Sequence, residues 1–171
     1  MAELAFQHQH GAHCESGVTS ALLTHLGAPL SEPLAFGIGS GLFFVYFPVE
    51  RVFGLPTTSY RSVPGTLFTK ACKRLGVQME VRRYRTPQRA KEDLARLLDA
   101  GTPVGLQTGI FWLDYLPRRF RFHFNVHNII VYGRKDDAWL VSDPVFDVPV
   151  ECRDDSMDRA RFSPGFLTPR G

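Results

Sequence analysis

Two apolar runs, Ile129-Ile130-Val131-Tyr132 and Ala138-Trp139-Leu140-Val141, flank the charged stretch Arg134-Lys135-Asp136-Asp137. Rich in β-branched and aromatic residues and separated by turn chemistry, the pair predicts a β-hairpin. His127 opens the first strand and Asp143-Pro144 ends the second. Antiparallel pairing brings the start of one strand beside the end of the next, so His127 and Asp143 are expected at the same end of a sheet. A carboxylate placed there orients an imidazole through one ring nitrogen and leaves the other facing a nucleophile.

The candidate nucleophile lies far earlier, in His13-Cys14-Glu15-Ser16-Gly17, which runs into Val18-Thr19-Ser20-Ala21-Leu22-Leu23-Thr24-His25-Leu26-Gly27. Apolar residues at 18, 21, 22 and 26 recur at helical spacing, Ser16 and Thr19 suit a first turn, and Gly27 is a stop signal. Cys14 therefore falls at or just before a helix N-terminus. Unpaired N–H groups and the helix dipole favour an anion there, so a thiolate forms more easily than at the free-cysteine pKa of roughly 8.5. A buried cysteine is otherwise a small core residue, and that reading suits Cys72, on the apolar stripe of a helix predicted over 64–76. His123 and His127 lie on one face of an extended strand, so periodicity leaves both open as the base. Only His127 directly precedes the apolar run that pairs toward Asp143.

A length of 171 residues suits one domain, taken as 1–171, and 44% hydrophobic content with fourteen Phe supports a packed globule. The formal charge of +3 is small, and basic residues cluster only at 82–85 and 118–121, which gives no reason to invoke nucleic acid. Three cysteines without framework spacing argue for a reducing, cytoplasmic setting. The opening residues lack a secretory pattern, and the longest apolar run, 42–48, is too short to span a bilayer. His8, His10, His13 and Cys14 do not have the spacing of a structural zinc site, so neither a metal nor another cofactor is expected.

Ser31 is placed to cap a short helix with Glu32 and Pro33 in its first turn. The glycines of Gly37-Ile38-Gly39-Ser40-Gly41 allow tight turns or close approach of backbone to a ligand or strand, ahead of a strand from Leu42. Residues 48–63 read as a loop, 77–81 as a strand, 88–100 as a helix with Leu94, Leu97 and Leu98 inward, and 102–108 as a further strand. An aromatic connector follows at 111–117, and the polar segment from Glu151 is expected to be loosely packed.

Cys14, His127 with its apolar strand and Gly133, and Asp143-Pro144 together resemble the papain-like double-glycine leader peptidases. The resemblance implies an α+β fold in which the helix bearing the cysteine packs on an antiparallel sheet bearing His and Asp. His13-Cys14-Glu15-Ser16, Ser31-Glu32, Phe36-Gly37-Ile38-Gly39-Ser40-Gly41, Tyr46 and Asp114-Tyr115-Leu116-Pro117 resemble more closely the N-terminal domain of butirosin biosynthesis protein H. That resemblance implies a Cys14–His127–Asp143 triad transferring an acyl group to an amine from a thioester on an acyl carrier protein or CoA. Peptide-bond cleavage by the same triad and a non-catalytic binding domain are the alternatives. It further implies substrate contacts from His13, Glu32, Gly39 and Gly41. The leader peptidases carry an oxyanion-hole Gln six residues before the cysteine, where this chain has His8. Gln9 is then the side chain a shifted loop would present beside the Cys14 N–H, and losing such a donor costs on the order of 2.7–4 kcal/mol of transition-state stabilisation.

Overall fold

The computed structural model describes residues 3–52, 54–165 and 169. Strands β3 (Val104–Thr108), β4 (His127–Lys135), β5 (Ala138–Ser142) and β6 (Val150–Arg153) form one antiparallel sheet in that order. In the β4–β5 hairpin Ile130 stands opposite Ser142 and Lys135 opposite Ala138, which brings His127 to the end of the sheet where Asp143 emerges. Successive residues of β4 face opposite ways. Ile129 and Val131 join a core with Leu94 and Leu98 of α4 (Pro87–Asp99) and Met157 and Ala160 of α5 (Asp154–Arg161). Ile130 packs instead with Val18, Ala21 and Leu22 of α1 (Cys14–His25). Because both faces are covered, β4 is continuously apolar from Ile129 to Tyr132 rather than alternating.

Helix α1 is buried along almost its whole length, Glu15 to Leu23. It is a central helix rather than a surface one, which explains its small and apolar residues on all sides. Two shorter helices, α2 (Glu32–Ile38) and α3 (Leu67–Leu75), pack against it. Among the described residues no helix is long and apolar enough to cross a membrane. The result is the α+β, papain-like arrangement of helix on antiparallel sheet that the motifs imply.

Three segments depart from expectation. Residues 48–63 are not a loop: β1 (Leu42–Val52) and β2 (Leu55–Arg61) pair as an antiparallel hairpin. Pro48 and Pro56 are tolerated because this two-stranded sheet is all edge, and the register shifts between Phe47 and Arg51. Residues 77–81 have no strand partner. Half-buried and exposed positions alternate there over 77–80, and beyond them Arg82 bridges Glu80 and Asp93 of α4. Alternation reports one covered face, and ladder pairing needs a free sheet edge as well. Of the segment from Glu151, residues 151–163 are firmly packed: β6 completes the sheet, and Cys152, Met157, Ala160 and Arg161 are buried. Its charges misled because Asp155 and Arg159 sit on the outer face of an amphipathic helix, while Arg161 is buried with its Nη1 donating to the Ala90 carbonyl at 3.1 Å. Cys152 is thus a core residue whose burial raises its thiol pKa, and its removal costs stability.

One close approach fixes α1 on the sheet. A Cβ at Gly17 would lie 2.7 Å from Cβ of Pro144, whereas one at Gly37 in α2 would meet nothing within 4 Å. Alanine at Gly37 should gain up to about 1 kcal/mol of helix propensity, while at Gly17 overpacking of about 1–3 kcal/mol outweighs it. Thermal melts should therefore place Gly37→Ala above and Gly17→Ala below the wild-type Tm, each by roughly 2–4 °C per kcal/mol. A Gly17→Ala protein as stable as wild type would mean that α1 can lift from Pro144 at no cost.

Candidate active site

Cys14 is the first residue of α1. Its N–H lies in the first turn, where no intrahelical acceptor exists. The turn is held by His13, whose Nδ1 accepts from Ser16 N–H at 3.3 Å, and by Glu32 of α2. The Glu32 carboxylate accepts from the Ala12 N–H and His13 N–H at 2.8 Å each and from Ser16 Oγ at 2.9 Å. Glu15, buried one residue past the cysteine, accepts from Leu67 N–H at 2.8 Å and Arg61 Nη2 at 3.2 Å, tying the same turn to α3 and β2. Gly11 N–H donates to the Pro144 carbonyl at 2.8 Å. These bonds aim Cys14 at the end of the sheet where β4 starts and β5 stops.

There His127 Nε2 donates to Asp143 Oδ2 at 2.8 Å. Asp143 is fully buried and also accepts from Tyr115 OH at 2.8 Å and Val145 N–H at 3.1 Å. The three donors, from His127, Tyr115 and Val145, satisfy the buried carboxylate. With Nε2 committed, Nδ1 is the nitrogen available to Cys14. Burial disfavours the Cys14 thiolate, yet the hydrogen bond and charge of His127, aided by Asn128, hold its pKa below the ordinary thiol value. Burial likewise disfavours the His127 imidazolium, but bonds to Asp143 and Cys14 prevail and raise its pKa to about 9. The two shifts have one physical cause: thiolate and imidazolium stabilise each other, and they titrate as a pair.

The structure brings Cys14, His127 and Asp143 together. His123 is elsewhere, exposed and stacked on Phe111 with ring centroids 4.2 Å apart. Gln9 is half-buried, and among the described residues no hydrogen bond joins it to Cys14. The side-chain amide that reaches the sulfur is that of Asn128, with Nδ2 3.8 Å from Sγ. His8, at the position of the leader-peptidase Gln, is turned away: Nε2 donates to the Phe146 carbonyl at 3.0 Å and Nδ1 bonds Ser142 Oγ at 2.7 Å. His13, Glu32, Gly39 and Gly41 all have internal roles. His13 caps α1, and its pKa is lowered by burial and by Arg61. Glu32 clamps the chain before Cys14, a Cβ at Gly39 would strike Leu67, and one at Gly41 would strike the Phe36 ring. Sequence reasoning missed Asn128 and Tyr115. Asn128 adjoins His127, but strict alternation would turn it to the other face. Tyr115 lay within a quoted motif, yet nothing in its spacing tied it to Asp143.

Residues 13–144 match the family model for butirosin biosynthesis protein H, N-terminal. A crystal structure from Bacillus anthracis described as a C39-like peptidase superposes with a TM-score of 0.61 at 16% identity, covering 94% of this chain and 85% of that one. No curated protein sequence matches this chain significantly.

Because the Cys14 pKa is lowered mainly through His127, the thiolate persists to lower pH than in a free cysteine. Iodoacetamide should alkylate Cys14 readily near neutral pH, and His127→Ala should move the alkylation profile to higher pH, since burial is then opposed only by Asn128. His123→Ala should leave the profile in place. Mass-resolved alkylation rates across pH 5–10 test this, and an unmoved profile in His127→Ala would disprove the ion pair.

Proposed function

The chain belongs to the family of butirosin biosynthesis protein H, N-terminal, and on that premise we propose that it is a cysteine acyltransferase. A thioester, carried by an acyl carrier protein or CoA, would donate its acyl group to an amine through a Cys14 acyl-enzyme. The observation that carries this reading is the Cys14 thiol at the N-terminus of α1, facing an imidazole whose other nitrogen is bound to a buried carboxylate. The Cys14 thiolate attacks the thioester carbonyl, and His127 Nδ1–H protonates the departing thiol. The amine then attacks the acyl-enzyme, gives its proton to His127 and releases Cys14 as thiolate. Asp143 holds the imidazole in the tautomer and orientation both steps need. The Cys14 N–H and the Asn128 amide are the candidate donors to the oxyanion, with Asn128 in the role expected of Gln9. We assign the reaction to the cytoplasm, where the free thiols of Cys14, Cys72 and Cys152 stay reduced.

A second reading, cleavage of a peptide or amide bond by the same residues, is favoured by the Bacillus anthracis structure and its description. The two differ in what resolves the acyl-enzyme, an amine or water. A pure binding role is disfavoured by the lowered Cys14 pKa, since a thiol retained only for packing is raised by burial, as Cys72 and Cys152 are.

Intact mass spectrometry after incubation with acyl-CoAs and acyl carrier protein thioesters should show an acyl adduct on the wild type and none at neutral pH on Cys14→Ser. Absence of any adduct with these donors would defeat the transfer reading. Turnover should fall as pH rises through about 9, the pKa of His127, because the leaving thiol then loses its proton donor. It should also fall in acid, at a pH below the ordinary thiol range, as Cys14 protonates. Asp143→Asn should lower kcat less than His127→Ala, since it disturbs orientation without removing the proton carrier.

A further inference from the structure

We propose that the acyl acceptor is an amine on an apolar alkyl or arylalkyl body, seated in a groove beside His127. The inference rests on the acyl-transfer reading above and adds the chemical class of the acceptor. The groove has a volume of about 420 Å³, and among the described residues its lining is apolar apart from the His127 imidazole. Its floor includes the buried side chains of Ile110 and Leu116. Its rim carries large apolar side chains left in water: Phe120 is 52% exposed, Phe122 60%, Phe124 38% and Val145 45%. Three aromatic rings crowded onto the short stretch 120–124 next to a reactive imidazole are a costly surface to leave wet, and filling the groove with apolar substrate removes that cost.

What decides between acceptor and acyl chain is which part of the machinery the groove touches. It is lined by His127 but neither by Cys14 nor by Asn128, whose Nδ2 lies 3.8 Å from the sulfur. The acyl carbon becomes bonded to Cys14 Sγ, whereas the atom that exchanges a proton with His127 is the leaving sulfur or the incoming nitrogen. A group beyond that atom is the one that falls on the imidazole side. Among the described residues no carboxylate lines the groove, so it selects the body of the amine and not its charge. In the step served, the neutral amine nitrogen forms a bond to the acyl carbon. The carbon–sulfur bond to Cys14 breaks with its electron pair going to sulfur, and one amine proton passes to His127 Nδ1.

The test uses Cys14 pre-acylated by a thioester and a series of n-alkylamines from methylamine to octylamine, with aminolysis followed by product mass. The second-order rate should rise about threefold to fourfold per added methylene until the groove is full. Phe122→Ser and Val145→Asp should flatten the series toward methylamine. A flat series in wild type, or a slope that ignores both substitutions, overturns the proposal, as would a steep dependence on acyl length abolished by the same substitutions. A second arm needs no chemistry. Titration calorimetry of 4-phenylbutylamine into Cys14→Ala protein should show binding that weakens at least tenfold in Phe122→Ser, which removes apolar surface without adding a counter-charge for the ammonium. If no acyl-enzyme forms, the acyl-transfer reading fails while this titration still judges the groove. A silent titration together with a dimer that Phe122→Ser disperses would assign the groove to a second copy and overturn the proposal.

Discussion

The site depends on how closely the first turn of α1 approaches the Asp143-Pro144 turn. A thiol, an imidazole and a carboxylate from three separate segments can meet only if the helix start and the sheet end touch at backbone range. Gly17 provides that range by presenting no side chain to Pro144, and the Gly11–Pro144 hydrogen bond fastens the arm before the helix at the same place. The helix itself is anchored by burial on the β4 face through Val18, Ala21 and Leu22. Hydrophobic burial is non-directional and sets only which face lies inward. The hydrogen bonds accepted by Glu32, His13 and Glu15 then fix where along the sheet the helix begins. A rigid mounting of this kind is what a reactive constellation needs, since small misplacements cost large factors in rate.

The electrostatics follow from that mounting. Bringing a thiol, an imidazole and a carboxylate out of water disfavours charge on each of them. The structure offsets this by linking them in series, with Tyr115 and the Val145 N–H adding donors at the buried end and Asn128 adding one at the sulfur. The polar end of the series is thus deep and the reactive end is at the surface, since Asp143 is fully buried while Cys14 is only partly so. The contrast with Cys72 and Cys152 is instructive. All three cysteines are at least partly buried, yet only the one with a cationic partner has a lowered pKa.

How far the chain could be read before folding depended on how local each cause was. The start of α1 at Cys14, the end of β5 at Asp143 and the hairpin between β4 and β5 are local patterns, and their registers put His127 and Asp143 together with no further information. The His127–Asp143 pairing was legible for that reason, whereas the α+β architecture and the place of Cys14 in a triad were implied by the family resemblance. Gln9 was proposed from a spacing borrowed from relatives, and the arm before α1 takes a different path, with His8 bound to Ser142 and Phe146. The β1–β2 hairpin was hidden by prolines that an edge sheet tolerates, and β6 with α5 by charges such as Asp155 and Arg159 that lie on one face of a helix whose other face is core.

The amino-acid sequence by itself determined which chemistry is present: a cysteine at a helix N-terminus, a histidine at a strand start, an aspartate at a strand end, and the strand order that aligns the last two. Those are consequences of backbone periodicity and capping, which act over a few residues. Only the tertiary structure decided that Asn128 and not Gln9 reaches the sulfur, that Tyr115 supports Asp143, and that Glu32 and the glycines shape the fold around Cys14. Only it decided that an apolar groove opens beside the imidazole. Each of these is a contact between segments far apart in the chain, set by how α1 and the 110–124 connector come to rest against the sheet, and no local pattern carries that distance.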